Sequence, residues 1–164
     1  MRFQAPVYQT LWDSPLGPML LAANKTCLLG AWFTDQKHLP DSAGWQDAPG
    51  HAVLQQASHA LASHFSGQKV PTALPLDLQA GTEFQQAVWR ALLNIPWGQR
   101  VSYGQMAAAV GRPAAVRAVG AAVGRNPVSV LVPCHRVVGA DGSLTGYAGG
   151  LQRKTALLQL EGSL

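Results

Sequence analysis

Residues Val130-Leu131-Val132-Pro133-Cys134-His135-Arg136-Val137-Val138-Gly139 constrain the chain more than any other stretch. Two apolar, β-branched runs predict two buried extended segments, at Val130–Val132 and at Val137–Val138. Pro133 has no backbone N–H and interrupts a regular ladder, so a turn is expected between them. That turn presents a thiol and an imidazole on a rigid, buried base. The plain alternative is a core cysteine beside a surface histidine, because free Cys is among the most buried residue types.

Composition narrows the class. At 164 residues, 48% hydrophobic and 12% charged, the chain is globular and long enough for one domain or two small ones. No apolar run approaches a membrane span and no basic-plus-apolar leader opens the chain, so a cytoplasmic location is expected. Cys27 and Cys134 lie far apart with no CxxC or Cys/His ligand spacing. Neither a zinc site nor a disulfide framework is expected, and a free thiol suits a reducing compartment. Charge is uneven: residues 1–80 carry a net −1, and residues 81–164 a net +5 that is rich in arginine. Arginine is the better ligand for phosphate, so the basic half suits a polyanion.

In chain order, Val7–Trp12, Pro18–Ala23 and Cys27–Phe33 read as strands, with turns at Ser14–Gly17 and Asn24–Lys25. Residues 36–50 read as a loop. From His51 to Ser66, Leu54, Ala57, Leu61 and Phe65 recur at helical spacing, with Gly67 as the stop. His51, His59 and His64 are expected as solvated helix positions. Val70–Ala80, with Pro71 and Pro75, reads as an edge strand or linker and marks the domain boundary.

The second half holds two capping boxes, Thr82-Glu83-Phe84-Gln85 and Ser102-Tyr103-Gly104-Gln105. The first opens a helix with Phe84, Ala87, Val88, Ala91, Leu92 and Ile95 on its apolar face, halted at Pro96. The second opens a short helix ended by Gly111. Pro113 then begins a third helix running to about Gly124, with Val116, Val119 and Val123 as its apolar stripe. Two helices joined by a short Gly-containing turn resemble a helix-turn-helix. At 100° per residue, Ala114, Arg117, Ala121 and Arg125 cluster on the opposite side. Small residues punctuated by arginine let a helix approach a nucleic-acid groove closely. An ordinary Ala-rich surface helix reads the same way. A glycine-rich segment, Gly139–Gly150, follows the Cys-His turn, and Leu151–Leu160 forms the last helix. Glu161 then sits where the helix dipole disfavours it, which a role as acceptor for an imidazole would explain.

Pro133-Cys134-His135-Arg136, with Asn126-Pro127 before it and Tyr147-Ala148-Gly149-Gly150 after it, resembles the signature of the O6-alkylguanine-DNA alkyltransferases. Asn126 lies eight residues before Cys134, Tyr147 thirteen after it and Glu161 twenty-seven after it. The resemblance spans roughly Thr82 to Gly162. It implies an α/β protein, with a small ribonuclease-H-like domain at 1–80 and a mostly helical, winged helix-turn-helix-like DNA-binding and alkyl-transfer domain at 81–164. By that resemblance Cys134 accepts the alkyl group, His135 is its base through a water, Glu161 orients His135, and Asn126 orders the turn. Tyr103 and Arg117 promote extrusion of the damaged nucleotide, with Ala114, Ala121 and Arg125 along the same DNA-facing helix. Tyr147, Val137, Leu144, Ala148 and Gly149 line the base pocket. The implied partner is double-stranded DNA carrying O6-alkylguanine or O4-alkylthymine. The protein is expected as a monomer, with clustering on DNA as the alternative, and as nucleoid-associated when bound. No cofactor and no metal are expected. Some relatives hold zinc on N-terminal Cys and His residues, and here Cys27 stands alone.

The chemistry asks for the same parts. A free thiol with a pKa of about 8.5 is only slightly ionised at neutrality, so attack on an alkyl carbon needs a base. That base needs a third group to fix its tautomer. The O6 atom is unreachable in a stacked duplex, so extrusion is required, at a few kcal/mol. The product is a thioether, which nothing in the motif can hydrolyse, so each molecule acts once. Two readings from other classes remain: a Cys-His hydrolase passing through a thioester, and a DNA-binding regulator with no thiol chemistry.

Overall fold

The computed structural model describes residues 1–69 and 73–164, which form two compact units. The Val70, Pro71 and Thr72 part of the expected boundary segment lies outside the described residues.

The first unit comprises Met1–Ala80 with Pro127–Leu131. Its sheet has the order β3-β2-β1-β4, from β1 (Tyr8–Ser14), β2 (Gly17–Ala23), β3 (Leu28–Phe33) and β4 (Gln46–Asp47). β1 and β2 form a hairpin in register from Tyr8↔Ala23 to Ser14↔Gly17. Ser14 closes it: its Oγ accepts from Leu16 N and donates to Gly17 O. The β2–β3 hairpin is closed by Asn24, whose Oδ1 accepts from the amides of Thr26 and Cys27. β2 is buried continuously from Met19 to Ala23, so both faces of the sheet are covered. On one face Leu20, Ala22, Leu29, Val7 and Trp32 pack together with Phe3 and Trp45. Gly30 is required there, because a Cβ would lie 1.9 Å from the Trp32 ring. α1 (Ala52–Phe65) packs on the sheet.

Three expectations for this unit are corrected. The span 36–50 is not wholly loop, because β4 pairs in parallel with Tyr8 and Gln9. Its two residues carry no apolar signal and are recruited by the edge of β1. His64 is buried rather than solvated, since it falls on the Leu54–Ala57–Leu61 face of α1. His51 is half-buried and caps α1, its Nδ1 accepting from Val53 N, while its ring stacks on Tyr8. His59 is exposed as expected.

The second unit comprises Gly81–Asn126 with Val132–Leu164. It contains α2 (Glu83–Leu92), β5 (Val101–Ser102), α3 (Tyr103–Ala109), α4 (Val116–Gly124), a 3-10 turn (Cys134–Arg136), β6 (Val137–Val138) and α5 (Leu151–Leu160). Both capping boxes form, at Thr82/Gln85 and at Ser102/Gln105. Gly111, at φ 74, ends α3. α2 buries Val88, Trp89 and Leu92, whereas Ala87, expected inside, is exposed. Trp89 Nε1 donates to Ala122 O at 2.8 Å, fixing α2 to α4. β5 and β6 pair in parallel, Val101 with Val137 and Ser102 with Val138.

α4 also departs from expectation. It begins at Val116 rather than Pro113, so Pro113 and Ala114 lie in the turn before it. The short-range bond from Ala115 N to Arg112 O makes a tight turn there instead. Val116 is 41% exposed, and Ala122 joins Val119 and Val123 on the buried stripe.

Candidate active site

The approach to Cys134 is built from turns rather than from the expected strand at Val130–Val132. Val128 alone bridges to Ala31; after it Leu131 N donates to Ser129 O at 2.9 Å. Val130 sits at the centre of that three-residue turn with φ 74, a conformation strained for a β-branched residue by about 1–3 kcal/mol. Pro133, at φ −83 and ψ 63, makes a second three-residue turn of the opposite, relaxed hand, closed by Cys134 N donating to Val132 O at 2.8 Å. The buried amide of Asn126 secures it, Nδ2 donating to Val132 O at 2.8 Å. Val130 and Val132 are buried as the sequence suggests; their backbone is not extended.

Cys134, His135 and Arg136 form the 3-10 turn, all three buried. Glu161, the C-cap of α5, receives the two residues that follow the cysteine. Its Oε2 lies 2.8 Å from His135 Nε2, and its Oε1 accepts from Arg136 Nε at 2.8 Å. Arg136 Nη2 also donates to Oε2 at 2.9 Å, and Nη1 to Ile95 O at 2.6 Å. An ionised carboxylate only accepts, so a neutral His135 ring bonded to it carries its hydrogen on Nε2 and its lone pair on Nδ1. In that tautomer the ring can accept a proton through Nδ1. Burial pushes the Cys134 thiol up; the Asn126 amide and the Lys154 charge oppose this only in part. The thiol is neutral at rest and needs a base in order to attack.

The Gly139–Gly150 segment runs beside this turn. Leu144, Tyr147, Ala148 and Gly149 are half-buried, and Val137 is fully buried on β6. Among the described residues the buried Tyr147 hydroxyl has no hydrogen-bond partner, and burial raises its pKa well above 10. Tyr103, half-buried on α3, donates its hydroxyl to Thr145 O at 3.1 Å; its ring lies against Gly120 of α4. Ala114, Arg117, Ala121 and Arg125 are all exposed, Ala114 in the turn before α4 and Arg125 at its C-cap.

Two participants were not anticipated. Arg136 shares Glu161 with His135. Lys154 is buried and donates to Val137 O, Thr145 O and Gly146 O. A signal for Lys154 existed: it falls at helical spacing with Leu157, Leu158 and Glu161, all buried.

Comparison with known proteins accords with both units. A family model described as 6-O-methylguanine DNA methyltransferase, DNA binding domain, matches residues 83–163. One described as the ribonuclease-like domain of the same family matches residues 7–78. The methylated-DNA–protein-cysteine methyltransferase of Mycobacterium leprae is 49% identical over 149 residues, 91% of this chain and 88% of the relative. The protein of that name from Methanosarcina acetivorans is 44% identical over 160 residues, 96% of this chain and 99% of the relative. The crystal structure of Mycobacterium tuberculosis OGT in complex with DNA is similar at a TM-score of 0.88 and 45% identity, covering 95% of this chain and 93% of that one. Both the expected ribonuclease-like first domain and the helical DNA-binding second domain are thus recovered, and the chain belongs to the 6-O-methylguanine DNA methyltransferase family.

Proposed function

We propose that this protein repairs O6-alkylguanine, and O4-alkylthymine, in double-stranded DNA by moving the alkyl group to Cys134, once per molecule. The observation that carries the reading is the buried run from Cys134 to His135 to Glu161, with His135 Nε2 held at 2.8 Å from the carboxylate. Nδ1 of His135 takes the thiol proton through a bridging water. The sulfur forms a bond to the alkyl carbon as the carbon–O6 bond breaks. The electron pair leaves on the base, which picks up a proton to become guanine. Glu161 holds the imidazole and stabilises its charged form. The thioether left on Cys134 has no acyl carbon for water to attack, so the site is consumed.

The exposed face of Ala114, Arg117, Ala121 and Arg125 is the DNA-facing side. Its small residues allow close approach, and the arginines neutralise phosphate. Arg117 takes the place of the extruded base, and Tyr103 assists the rotation. Tyr147, Val137, Leu144, Ala148 and Gly149 then line the pocket that receives it. The protein acts as a monomer in the cytoplasm, associated with the nucleoid when bound. Among the described residues no helix is long and apolar enough to cross a membrane.

Cys134→Ser tests the reading. The change is nearly isosteric, so melting temperature and affinity for alkylated duplex should stay close to those of the parent. No alkyl group should be transferred at neutral pH. Appreciable transfer by this variant would remove Cys134 from its role.

A further inference from the structure

Lys154 lies inside the second unit with its side chain fully buried on α5. Its Nζ donates to Val137 O at 2.6 Å, to Thr145 O at 3.0 Å and to Gly146 O at 3.2 Å. These three bonds use all the hydrogens of an ammonium. Nζ also stands 6.0 Å from the centroid of the Tyr103 ring. Among the described residues every hydrogen-bond acceptor of Lys154 is a backbone carbonyl. Glu161, about two helical turns further along the same stripe, has both oxygens engaged by His135 and Arg136.

A cation buried against neutral acceptors is costly, so its placement calls for a role. Val137 directly follows the Cys134–Arg136 turn, and Thr145 and Gly146 directly precede Tyr147. We propose that Lys154 is a positioning residue for alkyl transfer, its ammonium pinning the Thr145–Gly146 wall of the base pocket to the strand that leaves Cys134. The inference rests on the reading of Cys134 as alkyl acceptor.

The pin carries a pH dependence. Burial brings Lys154 down to about 8, and Cys134 pulls it partly back up. The other titratable groups facing it are Cys134 on the 3-10 turn and Tyr103 on α3, both pushed up by burial. A neutral amine has two hydrogens and a lone pair, so it must turn away from one of its three carbonyls. Gly146, at 3.2 Å, is held by the longest of the bonds. Stability moves the other way. The unfolded lysine keeps its proton to 10.5, so above about 8 the folded state binds fewer protons and stability rises with pH.

The test is the rate of transfer from free O6-benzylguanine, which needs no extrusion, to the full-length protein from about pH 6.5 to about 9.5, with melting temperature at each pH. The logarithm of the wild-type rate should bend downward near pH 8 and level off no lower than that of Lys154→Met, about tenfold below its value before the bend. The melting temperature should hold or rise across the bend. Lys154→Arg should keep the rate within about threefold and lose the bend. Lys154→Met should be slowed roughly tenfold or more below the bend and show none. No bend in the wild type, the same bend in Lys154→Arg, or a melting temperature that falls with the rate would overturn the proposal. Should Lys154→Met fail to fold, the wild-type and Lys154→Arg profiles decide alone. Cys134→Ser run in parallel separates the two layers: transfer by it removes the underlying reading, whereas failure confined to the Lys154 tests removes only the pin.

Discussion

The β-sheet core of the first unit and the cluster around Cys134 in the second are equally sealed from solvent. Met19, Leu21, Leu28 and Phe33 have no exposed surface, and neither do His135 and Lys154. The sheet core is held by apolar area, which has no direction and tolerates exchange of one hydrophobe for another of like volume. The Cys134 cluster is held by directed bonds: one carboxylate serves an imidazole and a guanidinium, and one ammonium serves three carbonyls. There each group is stable only because its partner is present, and removing one strands the rest. A core of the first kind stores stability. The second kind holds chemical groups in fixed orientation at some expense of stability.

Two substitutions that preserve volume break the comparison from opposite ends. Glu161→Gln should have the largest effect. It leaves the Arg136 guanidinium buried opposite a neutral amide and frees His135 of its carboxylate. About 3 kcal/mol of stability should be lost, or roughly 6–12 °C in melting temperature. Transfer per folded molecule should fall by roughly tenfold or more at pH 7. Thermal melts and single-turnover kinetics with O6-benzylguanine check both. A variant as stable and as fast as the parent would mean the cluster is no more directional than the sheet.

Arg117→Ala concerns an exposed position that belongs to neither core. Stability should change by less than about 0.5 kcal/mol. Repair in duplex DNA should slow by roughly tenfold, because only the duplex demands extrusion. Reaction with free O6-benzylguanine should stay within about twofold. Equal slowing on both substrates would place Arg117 in the pocket chemistry or the fold instead.

Leu21→Met should do the least. In the sheet core it should cost less than about 1.5 kcal/mol and leave transfer unchanged. A loss matching that of Glu161→Gln would erase the contrast between the two interiors.

What was legible in the sequence follows the same divide. The hairpins, α1 and both capping boxes are local patterns, in which side-chain spacing or one hydroxyl decides the backbone, and they were read correctly. The run at Val130–Val132 was misread because β-branched apolar residues suit a strand wherever they are buried. Its actual turns are fixed by partners outside the run: Ser129 N on Ala31 O far back in the chain, and the Asn126 amide on Val132 O. The pairing of Glu161 with His135 was expected from the family resemblance and from a helix end that disfavours an acid. Arg136 as a second partner was missed, although a carboxylate has two oxygens and a buried arginine needs an acceptor. Lys154 and His64 were left outside because polar residues are read as surface, though both fall on apolar helical stripes.

The central claim is that the Cys134 sulfur is consumed in the reaction, and stoichiometry tests it most directly. Limiting protein is mixed with excess duplex carrying a single O6-methylguanine, and intact mass is measured together with guanine restored. Each molecule should gain the mass of one methylene, mapped by peptide mass to Cys134, with no more guanine restored than protein added. Several turnovers per molecule, or an unmodified Cys134 after repair, would contradict it.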